Sequence, residues 1–436
     1  MTQQFKRYVL FWLSQSVSQL GSAMTGFGLV LWAYQQTRSA MVVSLMTFFM
    51  YVPYLLAGLL AGSFVDQHRK KPIMLTADAF AAITSLLVLV LSRQDALQVW
   101  HIYLVNSGLG LMNAVQVPAS QVARGMMVPR EKLAQISGMS SFSDNLIMVL
   151  TPVLAAALYA LGGLPIILSV DFASFLFAFT ILLLLIPIPE APYDGEKKES
   201  ALVGCRTGFR FLRDNRGLWI TVLTLALINF FSRLTYENIL SPMLLARSGQ
   251  NSMVMGIVNA MLGIGGILGG LMVSTGRFTR DRITMIYLGA AFSFFFGDLL
   301  MGFGQSVVVW SLAGLMASFP IPFIIAGQNV ILYENVPRPM QGRVFAVRNA
   351  LQFGSIPIGI LLGGFLADYV FEPWMQSGRP LAGFLGSLVG RGAGSGMAVM
   401  FIGTGICGSL YSLISYRRKE LDPLRKAPDS EQTAER

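Results

Sequence analysis

The chain has very little cysteine and histidine. Its 436 residues include only 2 Cys and 2 His. Cys205 falls in a polar gap and Cys407 in the last apolar run, so no disulfide framework is expected. His68 and His101 alone cannot build a His-based metal site, and we expect neither metal nor cofactor. The sequence also lacks a P-loop and a nucleophile motif, which excludes ATP hydrolysis and argues against an enzyme.

Charge is scarce as well. Charged residues make up 12% of the chain and hydrophobic residues 54%, against about 25% charged residues in an ordinary soluble domain. A net charge of +10 would suggest nucleic-acid binding in a soluble protein. In so apolar a chain it is typical of basic loops beside an anionic lipid leaflet, so we expect a lipid bilayer as partner and no nucleic acid.

Long apolar runs are what the chain does have. About 20 apolar residues cross the hydrocarbon core as a helix, and twelve runs meet that length. They cover residues 8–34, 40–64, 73–92, 98–120, 133–160, 164–188, 217–244, 252–275, 284–303, 308–332, 347–369 and 393–416. The sequence therefore predicts a multi-pass membrane protein.

Basic residues alternate between the gaps. The odd-numbered gaps contain only Arg38, Arg93, Arg247, Arg379 and Arg391, while the even-numbered gaps and both termini are much richer in Lys and Arg. Basic loops stay on the cytoplasmic side of a membrane. Both termini are therefore predicted to be cytoplasmic.

The longest cytoplasmic gap divides the chain into two halves. We expect six-helix bundles at residues 1–188 and 217–418, a linker at 189–216, and a charged, disordered tail at 419–436. Within the linker, residues 201–216 alternate apolar residues with arginines, which predicts an amphipathic helix at the membrane surface. A solvated connector is an equally supported alternative.

The two halves repeat a short motif. Val128-Pro129-Arg130 precedes the fifth run and Val336-Pro337-Arg338 precedes the eleventh. Each is followed by a proline within the run, Pro152 or Pro357. Internal repeats of this kind place a substrate site near mid-depth in transporters whose halves rock against each other.

One loop carries a family resemblance. Between the second and third runs the sequence reads Gly62-Ser-Phe-Val-Asp66-Gln-His-Arg69-Lys70-Lys71. The order of glycine, acid and basic pair resembles the signature loop of the major facilitator superfamily, although Gln67 stands where Arg is usual. The resemblance implies a cytoplasmic gate formed by Gly62, Asp66, Arg69 and Lys70. The corresponding loop of the second half has Ser274 in place of the acid.

Other stretches resemble the macrolide-efflux-like branch of that superfamily. They lie at residues 136–172, 208–218 and 371–396, so the resemblance extends over nearly the whole chain. It implies an all-α membrane protein with twelve transmembrane helices in two pseudo-symmetric six-helix bundles. It further implies a monomeric, proton-coupled exporter of small amphipathic compounds, such as macrolides, in a bacterial cytoplasmic membrane.

Ionisable side chains inside the runs are candidates for proton coupling, since each costs about 2.5–3.5 kcal/mol to insert. Asp144 lies about 16 Å from the start of the fifth run by helical rise, and thus near mid-depth. Arg233 and Glu237 are four residues apart and share a helix face, either as a neutral structural pair or as a pair that exchanges with a proton or cation. Asp298 is a fourth candidate, although its position near the external end favours a structural or solvated role.

Two further acids receive structural interpretations. Asp171 is expected to serve helix packing or a gate near the external end. Asp78 is expected to pair with the basic cytoplasmic loops. The sequence thus favours Asp144 and Glu237 over both of them for coupling.

Polar and aromatic residues near mid-depth predict a mostly apolar cavity with few polar groups, which suits large amphipathic ligands. For any one aromatic residue, lipid contact or core packing is the competing interpretation. The cavity candidates are Gln15, Gln19, Asn113, Gln116, Asn145, Asn229, Phe230 and Gln352.

Two alternatives to drug export stay open at this stage. The chain could transport a siderophore, a lipid or a nutrient. It could also be a membrane receptor that keeps the fold without transport, although acids at mid-depth argue against that because a scaffold gains nothing from them.

Overall fold

A computed structural model describes residues 3–128, 133–188, 201–275, 281–337 and 340–425. The described residues form helices and short turns, and none of them lies in a β-strand. Backbone groups in lipid must find their partners within the chain, so a helical fold is the expected outcome for a sequence this apolar. The chain divides into two units, which are Met1–Gly195 with Leu244–Ala260, and Glu196–Met243 with Met261–Arg436.

The first unit is built from long helices. They are α1 (Gln3–Thr37), α2 (Ala40–Gln67), α3 (Lys70–Arg93), α4 (Val99–Met126) and α5 (Leu133–Leu184). Ser39 begins α2 by accepting a hydrogen bond from the Val42 backbone N–H through its side chain (3.1 Å). This cap satisfies one of the donors that the first turn of a helix leaves unpaired.

The helix α5 contains a break where the sequence predicts two spans. Gly163 has φ +69°, in the left-handed region, and neighbouring Gly162 also leaves helical geometry. A residue with a side chain is strained at such a φ, so glycine is the residue that turns the chain here. The two parts of α5 correspond to the fifth and sixth predicted runs.

The rest of the chain, which forms the second unit apart from Leu244–Ala260, contains more and shorter helices. In order these are α6 (Ala201–Asp214), α7 (Arg216–Thr235), α8 (Leu240–Arg247), α9 (Ser252–Ser274), α10 (Arg282–Phe292), α11 (Leu299–Phe303), α12 (Val307–Ser318), α13 (Ile321–Asn335), α14 (Gln341–Gly354), α15 (Ile356–Phe365), α16 (Glu372–Met375), α17 (Pro380–Val389), α18 (Ser395–Tyr416) and α19 (Asp422–Arg425). π-Helical turns join α10 to α11 and α15 to α16. The helix α17 was not anticipated, because the sequence analysis treated its residues as an external gap.

One segment of the predicted C-terminal half groups with the first unit. Leu245 and Met255 pack with Leu31 and Tyr34 of α1. A Cβ added at Gly256 would lie 2.6 Å from the carbonyl oxygen of Pro152 in α5. The absence of a side chain at Gly256 therefore allows α9 to approach the backbone of α5 closely.

Nine helical stretches in the described residues are long and apolar enough to cross a membrane. One of them, Gly138–Leu184, has 47 residues and contains the break in α5. The helices α1 and α4 are not among the nine, although they have 35 and 28 residues. The structure thus shows a multi-pass helical protein, and the count of twelve spans stays a prediction.

The predicted linker helix is present as α6 and packs on α14. Leu212 is fully buried in a cluster with Leu218 and Val344. A Cβ added at Gly208 would lie 2.6 Å from the carbonyl oxygen of Arg343, so α6 and α14 are in close contact. The helix is therefore neither a free connector nor a helix held only by lipid.

The expectation that the tail is disordered is wrong for its first residues. The chain continues past α18 as a 3₁₀ turn, Lys419–Leu421, and then α19. Leu421 and Leu424 are buried in the same cluster as Leu212, while Glu420 pairs with Arg216 at 3.6 Å. The many charged residues of this segment suggested disorder, but two of its leucines are buried in the cluster. The rest of the predicted tail, residues 426–436, lies outside the described residues.

Replacing Leu421 by Ala is expected to destabilise the second unit. Its side chain is fully buried, and removing a buried leucine costs about 2–5 kcal/mol. The measurement is the thermal unfolding midpoint of the purified protein. Lys419→Ala is the matched control, because Lys419 is exposed and a surface change costs about 0.5 kcal/mol or less. Equal midpoints for the two variants would contradict the docking of the tail.

Candidate functional site

A cavity with both polar and apolar lining residues lies within the first unit. Its volume is about 420 Å³, and α1, α3, α4 and α5 form most of its wall. From α1 it receives Gln15, Gln19 and Ser22, which follow at i, i+4 and i+7 and so share one face of the helix. The other polar or ionisable residues of the lining are Ser18, Thr25, Asp78, Ser85, Asn106, Asn113, Gln116, Ser120, Gln121, Arg124, Asp144 and Asp171.

Asp171 is buried in the wall of this cavity, with 1% of its surface exposed. Its Oδ2 accepts hydrogen bonds from Thr25 Oγ1 (2.8 Å) and Ser85 Oγ (2.7 Å). Its Oδ1 has no hydrogen-bond partner among the described residues. The carboxyl group thus joins α1, α3 and α5 through neutral donors and leaves one oxygen available to a ligand or a proton.

Asp78 is the second buried acid of the cavity, with 4% of its surface exposed. Gln116 Nε2 donates to its Oδ1 (2.5 Å), and Oδ2 has no partner within the described ranges. The prediction that Asp78 pairs with the basic loops is therefore wrong. Its side chain lies on the face of α3 that turns toward α4, and the amide of Gln116 takes the place expected for a cation.

Gly21 brings α1 against the Asp171 region of α5. A Cβ added at Gly21 would lie 2.9 Å from Asp171 Oδ1 and 3.1 Å from Asp171 Cα, and would also overlap Ser174 Oγ. A contact below 3.0 Å requires something to move. The missing side chain at Gly21 therefore lets α1 approach Asp171 closely enough for Thr25 to donate to it.

Asp144 lies elsewhere than expected. The sequence placed it in a buried position near mid-depth, but its side chain is exposed and lines the cavity with Arg124. The reason lies in the rotation of α5. Ser143, the residue before it, is buried and its Oγ lies 2.8 Å from Ser16 Oγ of α1, so Asp144, about 100° further round the helix, faces away from that contact.

Four predicted cavity residues do line this cavity, namely Gln15, Gln19, Asn113 and Gln116. Asn145 does not. Its side chain is exposed and donates to the Ser141 carbonyl one turn earlier (2.8 Å). The remaining three belong to the second unit, where Gln352 is buried and Asn229 and Phe230 are half-buried.

Arg233 and Glu237 pair with each other within the second unit, as their spacing predicts. Their side chains are 30% and 26% exposed. The pair is thus partly open to its surroundings, and the structure leaves both interpretations, structural pair and exchanging pair, in place.

Asp298 is buried rather than solvated, with 1% of its surface exposed. It ends the π-helical turn after α10, and Thr404 Oγ1 of α18 donates to its Oδ2 (2.6 Å). Tyr236 is half-buried, and its buried hydroxyl lies near Asp298. The distance of Asp298 from the end of its run suggested exposure, but α18 and the segment after α7 cover this side chain.

Part of the predicted gate loop can be described. Arg69 precedes α3, and Lys70 Nζ donates to the His68 carbonyl (2.9 Å). The surroundings of Gly62 and the side chain of Asp66 lie outside what the structure describes. Lys71, which the prediction left out, donates to the carbonyl oxygens of Leu183 (3.0 Å) and Ile186 (2.8 Å). A lysine in this place satisfies free carbonyls at the end of α5.

Buried acids around a cavity between apolar helices are typical of membrane proteins that move ions or small solutes. The family model of the Major Facilitator Superfamily matches residues 11–360, and the chain belongs to this superfamily. It is accordingly a transporter of small molecules rather than an enzyme.

Two relatives are exporters by name, and one solved structure has a similar fold. Macrolide efflux protein A of Streptococcus pyogenes is 26% identical over 84% of this chain and 90% of its own length. Enterobactin exporter EntS of Salmonella choleraesuis is 24% identical over 72% of this chain and 74% of its own length. A bacterial homolog to the human lysosomal transporter Spinster has a similar fold, with a TM-score of 0.72 at 14% identity, covering 98% of this chain and 100% of that one.

Proposed function

We propose that the protein exports small amphipathic compounds across the bacterial cytoplasmic membrane by alternating access, in exchange for protons. Both termini lie in the cytoplasm, and a monomer is the functional unit. The first-unit cavity receives the compound. Asp78 and Asp171 respond to its arrival by taking up or releasing a proton.

The observation that supports this proposal is the setting of the two buried acids. Each accepts hydrogen bonds from neutral side chains, each keeps one oxygen without a partner, and neither forms an ion pair in the described structure. An ionised carboxylate buried without a cation is costly. Binding of a proton or a cationic group removes that cost, so the two can compete for the same acid.

The setting of Asp78 and Asp171 changes which residues are candidates for proton coupling. Asp144, Arg233, Glu237 and Asp298 were proposed from the sequence. Of these, Asp144 shares the cavity and remains a candidate for the entry path beside Arg124. Asp298 has the required burial but lies in the second unit, and we retain it as a second coupling group there.

The cavity also supports the substrate class. Its lining combines polar side chains with Leu29, Met50, Leu109, Val117 and Phe175, and a volume of about 420 Å³ lies within the usual range of about 300–1,000 Å³ for drug-sized ligands. Amides, hydroxyls and apolar carbon suit a molecule with both polar and apolar faces. Its relatives named macrolide efflux proteins favour macrolide-like compounds.

The test is transport into inverted membrane vesicles. A labelled macrolide and a fluorescent amphipathic dye are followed with and without an imposed gradient that is acid inside the vesicle. We expect accumulation that depends on the gradient and stops when an uncoupler is added. Vesicles lacking the protein provide the background.

Two results would overturn the proposal in different ways. Uptake that depends neither on the proton gradient nor on the uncoupler would refute proton exchange. Uptake only into right-side-out vesicles would show import. Because the relatives include an enterobactin exporter, labelled ferric and iron-free catecholate siderophores form a further arm, and their preferential uptake would establish siderophore export instead.

A further inference from the structure

Arg348 is a cation inside an apolar stretch of the second unit. It lies on α14, seven residues after Gln341, which is about 10 Å along the helix. The stretch Arg343–Met375 that contains it is apolar enough to cross a membrane. An arginine at such a place is expensive and usually has a function.

The partners of Arg348 hold it in position without neutralising it. Its Nη1 donates to the side-chain oxygens of Gln328 (3.4 Å) and Asn329 (3.2 Å) on α13. The carboxylate of Glu334, further along α13, is bound to Arg282 instead (2.5 Å). Within the described ranges no carboxylate lies within ion-pair distance of Arg348. Two amides therefore fix the guanidinium while its charge stays uncompensated.

Three nitrogen donors of this cluster lack an acceptor. Arg348 Nε, Gln328 Nε2 and Gln352 Nε2 are buried atoms without a hydrogen-bond partner in the part of the chain described. Gln328 and Gln352 are 6% and 4% exposed. Gln352 follows Arg348 by four residues and so shares its face of α14.

All three of these atoms are hydrogen-bond donors, and none of them is an acceptor. Because Gln328 Oε1 faces the guanidinium, its Nε2 is the end left over. A buried donor without an acceptor costs about 1–3 kcal/mol, and three such donors around one positive charge are satisfied together by an anion that has several oxygen atoms. Arg348 is itself half-buried, which leaves part of it accessible to such a group.

We propose that Arg348, Gln328 and Gln352 form a binding site for the oxygen atoms of an anionic headgroup, a carboxylate or a phosphate, on an amphipathic molecule. Asn329 positions the guanidinium. Apolar surroundings, including the Phe345 ring 5.5 Å from the Arg348 guanidinium carbon, favour an amphipathic anion over a free inorganic ion. All three residues belong to the second unit. The proposed site depends neither on the direction of transport nor on its coupling to protons.

The experiment measures binding to the full-length protein in nanodiscs of phosphatidylcholine. Saturable binding of radiolabelled laurate, lauryl phosphate and dodecyltrimethylammonium is determined, with binding to empty nanodiscs subtracted. We expect both anions to bind at least about tenfold more tightly than the cation, a difference that corresponds to about 1.4 kcal/mol. Adding phosphatidylglycerol identifies the source of the anion. Competition with laurate indicates a lipid headgroup, and its absence indicates a free amphipathic anion.

Two variants and one control test the residues. Arg348→Gln is expected to remove the preference for anions. Gln352→Leu keeps the charge of Arg348, and should weaken anion binding about ten- to hundredfold, as the loss of one hydrogen bond to a charged group does. The control is Arg379→Gln, which removes a positive charge from an exposed position in the same unit.

Binding that is unchanged in Gln352→Leu and Arg348→Gln overturns the proposal. Equal weakening by Arg379→Gln overturns it too, because it would show a general charge effect. Uptake of the amphipathic dye in inverted vesicles, measured on the same variants, separates this site from export. Export that fails while anion binding persists refutes the proposed function alone.

Discussion

Replacing Asp171 by Asn is expected to abolish most gradient-driven uptake while the protein stays folded. Asparagine keeps the size of the side chain and can still accept hydrogen bonds from Thr25 and Ser85. It cannot exchange a proton, and it loses the charge that would attract a cationic group. A hydrogen bond to a charged group contributes about 1.5–3 kcal/mol, so the initial rate should fall about ten- to hundredfold.

The measurement is the rate of dye uptake into inverted vesicles at several pH values. The wild type should show a pH-dependent rate, and Asp171→Asn a low rate with a flatter profile. Asp95→Asn is the matched control, because Asp95 is exposed and has φ 54°, a conformation that Asn also tolerates. Wild-type uptake by Asp171→Asn would remove Asp171 from the mechanism and leave Asp78 as the only coupling acid we place in this cavity.

The second large effect is expected from Gly21→Ala. The added Cβ would overlap Ser174 Oγ and lie 2.9 Å from Asp171 Oδ1 and 3.1 Å from Asp171 Cα, so these side chains or α1 itself must shift. Overpacking of this kind costs about 1–3 kcal/mol, and the shift would also separate Thr25 from Asp171. We therefore expect a lower thermal unfolding midpoint together with reduced uptake.

Gly26→Ala gives the comparison on the same helix. A Cβ at Gly26 meets nothing within 4 Å, and alanine favours a helix over glycine by about 1 kcal/mol. Its unfolding midpoint should equal or exceed that of the wild type. Equal midpoints for the two alanine variants would show that α1 does not depend on the close approach at Gly21.

The helical fold was largely predictable from the sequence, because lipid leaves the backbone few alternatives to a helix. Apolar runs located the long helices, and the two glycines between the fifth and sixth runs mark the break in α5. The docked helix α19 was not predictable. The segment around Leu421 and Leu424 is rich in charged residues, and such a composition is typical of a disordered tail. Only their burial against distant residues such as Leu212 orders that segment.

The candidate site was predictable in part. Position near mid-depth was enough to group Gln15, Gln19 and Gln116, because a helix rises regularly along its run. The choice among the acids was less successful. Depth along a run does not fix rotation about the helix axis, and rotation decides that Asp144 is exposed while Asp171 is buried. Arg348 was passed over because it lies at the start of a run that follows a basic gap.

The docking of the tail has a consequence for biosynthesis. The leucines that complete the cluster around Leu212 are Leu421 and Leu424, which the ribosome adds only after the last apolar stretch, Ser395–Tyr416, has been made. A chain that stops just after that stretch would contain all nine apolar stretches found in the described residues, yet the apolar surface that Leu421 and Leu424 cover would be exposed. Such a surface is what proteases and chaperones recognise in cells, so premature termination here would yield an inserted protein that is rapidly degraded.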